Sequence, residues 1–196
     1  MKRTKIFLDQ SLKNIKTVGT LTRSSSFLCK EILKQIEFTQ GQVLLELGAG
    51  DGVITNYLLK KMAPDATLIA LEINPVFCEV LRKIEDKRLI VIDQSAVHLC
   101  DIFKSLRIEQ VDHVISAIPF VILPEATSIQ IIQAAFDHMA PMAKFIQVHY
   151  SLLAKKMYEK IFGQVSVRFV PFNIPPAFLL TMQKSPVKSA IPLSIL

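Results

Sequence analysis

Tryptophan is absent from this 196-residue chain, and glycine is scarce, with six in all. Three of the six stand at every second position, Gly48, Gly50 and Gly52, so a residue withheld elsewhere is concentrated in one turn. Cysteine is also sparse. Cys29, Cys78 and Cys100 are odd in number and show no CxxC spacing, which excludes a disulfide framework and a zinc motif and points to reduced thiols in a cytosolic setting with no metal site. Long apolar runs are missing as well. The chain is 51% hydrophobic with a mean hydropathy of +0.38, yet its longest candidate, "HVISAIPFVILP", is short and carries polar residues, whereas a span needs roughly 18 to 20 apolar residues. The last shortage is of acids near the start. Residues 1–30 hold Asp9 alone against Lys2, Arg3, Lys5, Lys13, Lys16, Arg23 and Lys30, so the whole net charge of +6 sits there and the remainder is neutral. Such an arm suits an anionic membrane or a nucleic acid.

The length fits one domain with small additions. The opening "MKRTKIFLDQSLKNIK" does not read as a secretory signal, because Asp9, Gln10 and Lys13 break its apolar core; a mitochondrial presequence, also basic and amphipathic, stays open as an alternative. A helix over about 4–17 would gather Leu8, Leu12 and Ile15 into a stripe bordered by Lys5, Lys13 and Lys16. A second helix is expected in "SSSFLCKEILKQIEF". From residue 43, β-branched runs alternate with helical patterns: "QVLLEL", "ATLIALEI", "RLIVID", "VDHVISAI" and "AKFIQVHY" read as strands. A helix at about 151–162 follows, then "QVSVRFV" and "PAFLLTMQK", close enough for an antiparallel finish. This order predicts an α/β fold of the doubly wound type, a mostly parallel seven-stranded sheet with an antiparallel final strand and helices on both faces. We divide the chain into an N-terminal basic helix and second helix (1–38), a catalytic domain (39–184) and a tail (185–196).

The glycines lie in "ELGAGDG", Glu46 to Gly52, at a strand-to-helix turn. The spacing E-x-G-x-G-x-G differs from the dinucleotide fingerprint, since Val53 stands where the last glycine would be. A ledge in which Gly48, Gly50 and Gly52 carry no Cβ and Ala49 only a methyl, beside the acid Glu46, suits a ligand carrying an amino acid and a sulfonium. On this motif the chain resembles the class I S-adenosylmethionine-dependent methyltransferases, and the resemblance runs from about residue 40 to 184. It implies S-adenosylmethionine as cofactor. Glu72, closing the second strand about 20 residues after the last glycine, is placed for the ribose hydroxyls, and Ile73 for the adenine face. Asp93, with Gln94 beside it, falls where the family holds the adenine amino group.

The fourth strand ends in "SAIPF", Ser116 to Phe120. Amine-directed members of the superfamily carry a Pro-aromatic loop here that holds the accepting nitrogen. In the adenine dimethylases of ribosomal RNA it reads N-[LI]-P-[YF]; this chain has Ile118-Pro119-Phe120 but Ala117 in place of Asn. The loop is similar to S-G-[LI]-P-[LF] of the bacterial soluble-type phospholipid N-methyltransferases, which act on phosphatidylethanolamine and related aminolipids. Two more stretches resemble that family, "VGTLTRSSSF" (Val18 to Phe27) and "NIPPA" (Asn173 to Ala177). The resemblance implies N-methylation of an aminolipid amine, with Ser116, Pro119 and Phe120 at the acceptor and Tyr150 as orienting group or proton acceptor; His149, beside it at the end of the fifth strand, is a second candidate by residue type alone. It also implies a cytoplasmic enzyme, peripheral on the inner face of the membrane, docked through Lys5, Leu8, Leu12, Lys13, Ile15 and Lys16. The alternative is an RNA adenine N6-methyltransferase, whose arm would track phosphates; nucleic acid is the less expected partner, because Ala117 offers no side-chain acceptor and the rest of the chain is neutral.

Overall fold

The computed structural model describes residues 23–185. The basic helix expected over 4–17 and the tail from 186 onward lie outside the described residues.

Seven strands form one sheet: β1 (Val43–Leu47), β2 (Thr67–Leu71), β3 (Leu89–Ile92), β4 (Val111–Ser116), β5 (Met139–His149), β6 (Ser166–Val170) and β7 (Ala177–Gln183). Their spatial order is β3-β2-β1-β4-β5-β7-β6. The first five pair in parallel, and β7 runs antiparallel between β5 and β6. The order reverses between β1 and β4, so the loops at their carboxyl ends diverge and leave a crevice where ligands of open α/β sheets bind.

Six helices cover the sheet: α1 (Ser26–Leu33), α2 (Val53–Leu59), α3 (Pro75–Arg82), α4 (Leu99–Leu106), α5 (Glu125–His138) and α6 (Lys155–Phe162). Period explains their placement. In α1 the fully buried Leu28, Cys29 and Ile32 recur at helical spacing and join Leu44, Leu58, Leu68 and Ile146 on one face of the sheet. On the other face Phe103, Phe145 and Tyr158 centre a second cluster under α4, α5 and α6. Burying each large α1 side chain contributes roughly 2 kcal/mol. The helix is thus built into the core of the catalytic unit, although the sequence division set it with the arm.

Caps fix where the helices begin. Ser25 Oγ accepts from Leu28 N at 3.2 Å, and Asn74 Oδ1 accepts from Val76 N at 3.1 Å just before Pro75 at the first turn of α3. At the amino edge, the Arg88 guanidinium donates to Leu59 O (2.8 Å), Met62 O (2.7 Å) and Asp86 (2.6 Å), tying the end of α2 to the start of β3. That hydrogen bond from Arg88 holds the Asp86 carboxyl down at about 2.

Candidate cofactor and acceptor site

The turn after β1 explains its glycines in three different ways. Gly48 has φ +74°, and a Cβ there would lie 3.2 Å from Ile118 Cγ1, so this glycine lets the loop after β4 pass close by. Gly52 gives room to Leu81 and Ile84, 3.1 and 3.2 Å from an added Cβ. Gly50, at φ +56°, is different: a Cβ would meet nothing within 4 Å. Of the three, Gly50 is the one whose open side faces no atom within 4 Å among the described residues. The ledge read from the sequence is therefore partly internal packing.

Two carboxylates flank this turn in opposite states. Glu46, the fourth residue of β1, is buried; its Oε2 accepts from Thr55 Oγ1 at 2.7 Å while Oε1 has no partner among the described residues. Burial, with the nearby Glu72 charge adding, pushes its carboxyl up to about 8 despite the Thr55 bond. Glu72 is engaged by backbone through both oxygens: Oε2 accepts from Gly50 N, and Oε1 from Ile73 N and Asn74 N, all at 2.8 Å. It stitches the turn after β1 to the turn after β2. Gly48 N and Ala49 N add to the seam, both donating to Leu71 O at 2.9 and 3.1 Å. Ile73 follows at the same edge, half-buried. Asp93 and Gln94 stand exposed after β3, where Arg82 reaches Asp93 at 3.5 Å.

The loop read from the sequence as the acceptor loop leaves β4 against the end of β1. Ser116 is fully buried and its Oγ accepts from Ile118 N at 3.3 Å, a fold-holding bond. Ala117 N donates to Leu47 O at 2.9 Å, closing the loop onto the end of β1. Pro119 is half-buried. Phe120 is 2% exposed, edge-on to Tyr158 with centroids 6.3 Å apart, and Ser128 Oγ donates to its carbonyl at 3.1 Å. Its ring belongs to the core, because α5 and α6 close over it, whereas the sequence reading set it at the acceptor.

His149 is likewise 2% exposed, with Nε2 2.9 Å from the Tyr158 hydroxyl. Burial alone carries the imidazole down to about 4, so it stays neutral near pH 7 and is a weak proton acceptor. Tyr150, the next residue, is exposed on the carboxyl edge. The sequence reading missed Gln147. This buried side chain on β5 donates through Nε2 to Ile118 O (2.9 Å) and Val148 O (2.7 Å), and its Oε1 lacks a partner among the described residues. The one available signal was a lone amide inside the apolar run "FIQV". Among the described residues no cluster of His, Cys, Asp or Glu gathers as for a metal ion, and no helix is long and apolar enough to cross a membrane.

Comparison with known proteins supplies the family. A family model, ribosomal RNA adenine dimethylase, matches residues 21–168. The chain belongs to this family. It is a class I S-adenosylmethionine-dependent N-methyltransferase. A curated relative, an ornithine lipid N-methyltransferase of Singulisphaera acidiphila, is 29% identical over 180 residues, 90% of this chain and 94% of that protein. Solved structures agree in fold. The precorrin-6y C5,15-methyltransferase of Geobacter metallireducens superposes with a TM-score of 0.64 at 16% identity, covering 81% of this chain and 88% of its own. The magnesium protoporphyrin IX methyltransferase of Synechocystis, solved with S-adenosylmethionine bound, gives 0.61 at 11% identity, covering 81% and 76%.

The residues of this methyltransferase fit that cofactor. The orphaned Glu46 Oε1 is a buried acceptor waiting for a cation, and an amino-acid ammonium supplies one. The open side of Gly50 leaves room beside it. When bound, S-adenosylmethionine supplies an electrophilic methyl group for in-line displacement by a neutral nucleophile.

Proposed function

We propose that this enzyme methylates the amine of a membrane aminolipid, either phosphatidylethanolamine or an amino-acid lipid such as an ornithine lipid, at the bilayer surface. The observation that carries the reading is the kinship with an ornithine lipid N-methyltransferase along nearly the full length of both chains. The acceptor loop supports it. A base amine is a poor nucleophile and benefits from a side-chain acceptor, which Ala117 does not provide, whereas a lipid amine is strongly nucleophilic once neutral and needs orientation more than activation.

In this proposal Glu46 holds the cationic end of the cofactor, and Glu72 keeps Gly50 and Ile73 in place around it, with one lone pair of Oε2 free for a ribose hydroxyl. Gln147 fixes the acceptor loop through the Ile118 carbonyl. Since the Ile118 and Pro119 carbonyls already accept from Gln147, Phe120 N and Ile122 N, the Ala117 carbonyl is the group we assign to align the amine. The proton left after transfer passes to water at the open edge, with Tyr150 nearest as a relay. Asp93 and Gln94 are assigned to the adenine end. The basic arm, with Lys5, Lys13 and Lys16 bordering Leu8, Leu12 and Ile15, is assigned to anionic lipid at about 1 kcal/mol per basic residue, which makes the enzyme peripheral.

Methyl-labelled S-adenosylmethionine tests this with the purified chain, vesicles with and without phosphatidylethanolamine or ornithine lipid, and ribosomal RNA alongside. Label in lipid that requires the amine is expected, falling when residues 1–17 are deleted. Label in RNA instead would overturn the lipid reading in favour of the activity for which the family is described.

A further inference from the structure

The carboxyl edge carries apolar side chains that neither core absorbs. In the turn between β6 and β7, Phe172 is 68% exposed and Ile174 87%; Leu153, after β5, is 85% exposed, and Phe27, in the first turn of α1, 53%. Topology brings them together. β7 lies beside β5 with Phe178 opposite His149, so the turn entering β7 and the loop leaving β5 emerge side by side. Asn173 accepts from Ser25 N at 2.9 Å, and the Phe27 and Phe172 rings lie 5.0 Å apart. Next along the same edge stands the acceptor loop, with Val121 and Ile122 exposed. A single exposed Leu is ordinary; several large apolar tips around one crevice are not.

Cations stand around them, two of them paired with acids. The Lys30 ammonium sits 6.0 Å over the Phe27 ring. Arg23 and Arg168 are near α1, paired with Asp51 and Glu31. The sequence that enters α1 through Arg23 holds Lys2, Arg3, Lys5, Lys13 and Lys16 against Asp9.

We propose that Phe27, Leu153, Phe172 and Ile174 form an apolar wedge that enters the boundary between headgroups and acyl chains of an anionic bilayer and seats the carboxyl edge on the lipid. Apolar tips bordered by cations match that boundary. The wedge is separate from the basic arm in sequence and in physics. The arm works by attraction, which salt screens; the wedge works by burial, which salt leaves intact. Its purpose rests on the aminolipid reading: a headgroup entering between the wedge and the acceptor loop reaches the site without its acyl chains leaving the membrane.

The test compares the full chain with a Phe172→Ser/Ile174→Ser double variant and with Leu153→Ser, all at exposed positions. Binding is measured by co-sedimentation with vesicles of phosphatidylethanolamine and phosphatidylglycerol, in low salt and in about 1 M salt, where the Debye length is about 3 Å. The double variant is expected to lose tenfold or more in vesicle affinity at both salts. Melting temperature, cofactor affinity and turnover of a dispersed short-chain aminolipid should stay at parental values. Parental affinity of both variants would overturn the proposal. So would a lipid-free dimer of the full chain that the double variant converts to monomer, since the face would then join two copies. A lower melting temperature with unchanged vesicle binding would show instead that the chain's own arm covers the patch, and would overturn it too. If no aminolipid accepts label while the variants still lose vesicle binding, the wedge stands and the substrate reading falls.

Discussion

The backbone N–H of Ser25 donates to Asn173 Oδ1 at 2.9 Å across 148 residues of sequence. Asn173 is buried, and its Nδ2 donates in turn to Pro175 O at 2.8 Å. One amide therefore joins the entry of α1 to the turn before β7. Asn173→Ala removes both bonds, but Ser25 is half-buried and Pro175 exposed, so water replaces part of what is lost and the cost is about 1 kcal/mol. Chemical denaturation should show a loss of that size.

Cofactor binding should release a proton near neutrality. Glu46 titrates near 8 when its Oε1 is unpaired, and an ammonium beside it favours the charged form. S-adenosylmethionine affinity is then expected to rise from about pH 6 to 8, by up to tenfold per unit, and to fall again above that as the ligand's own α-amino group, ordinarily about 7.7–8.0, loses its proton. For the cofactor-free protein the sign is opposite: the raised carboxyl contributes stability that is full below its ordinary value of 4.5 and is lost as pH climbs through about 8. Calorimetry in buffers of differing ionisation enthalpy counts the proton; Glu46→Gln should abolish the release and flatten the profile.

Alanine at Gly48 and at Gly50 should fail differently. Both carry the cost of a left-handed residue, about 1 kcal/mol. At Gly48 the new Cβ also meets Ile118 at 3.2 Å, so thermal stability should drop further and the acceptor loop shift. At Gly50 it meets nothing within 4 Å among the described residues, so stability should fall modestly while cofactor affinity falls tenfold or more. Equal cofactor affinity for Gly50→Ala and the parent would show that the open side is not occupied by ligand.

Gln147→Leu should separate chemistry from binding. It keeps the volume and removes the bond to Ile118 O, loosening the loop proposed to align the acceptor. A misplacement of about 1 Å can cost up to a hundredfold in rate, so kcat should fall ten- to a hundredfold with the cofactor dissociation constant within about twofold. Rescue by Gln147→Glu is not expected, because a carboxylate cannot donate to that carbonyl.

The strands were legible because each is an apolar run closed by turn residues, and the carboxyl-edge acids Glu46, Glu72 and Asp93 follow from where those runs stop. The Ser116–Phe120 loop was likewise found by position. What each residue does there was not legible. Phe120 read as an acceptor contact because sequence cannot show that Tyr158, from a helix 38 residues on, closes over its ring. His149 read as a base by residue type, but burial removes the basicity that the role needs. Gln147 went unseen because a strand-interior amide declares itself only once its partner, Ile118 O, is known. Gly48 and Gly52 read as ligand contacts although protein atoms already stand where their Cβ atoms would be. Pattern locates an edge; roles depend on neighbours distant in the chain.

The bond from Gly50 N to Glu72 Oε2 belongs to the fold's own hydrogen bonding. The turn assigned to the ligand is thus held by the chain itself, its conformational entropy lost when β1 and β2 pair. On the proposed reading, cofactor association at this half of the crevice is governed by desolvation of Glu46, whereas selectivity among acceptors falls to the opposite half, around the Ser116–Phe120 loop. A change of acceptor would then need substitutions in that second half alone, with the cofactor half left as it is.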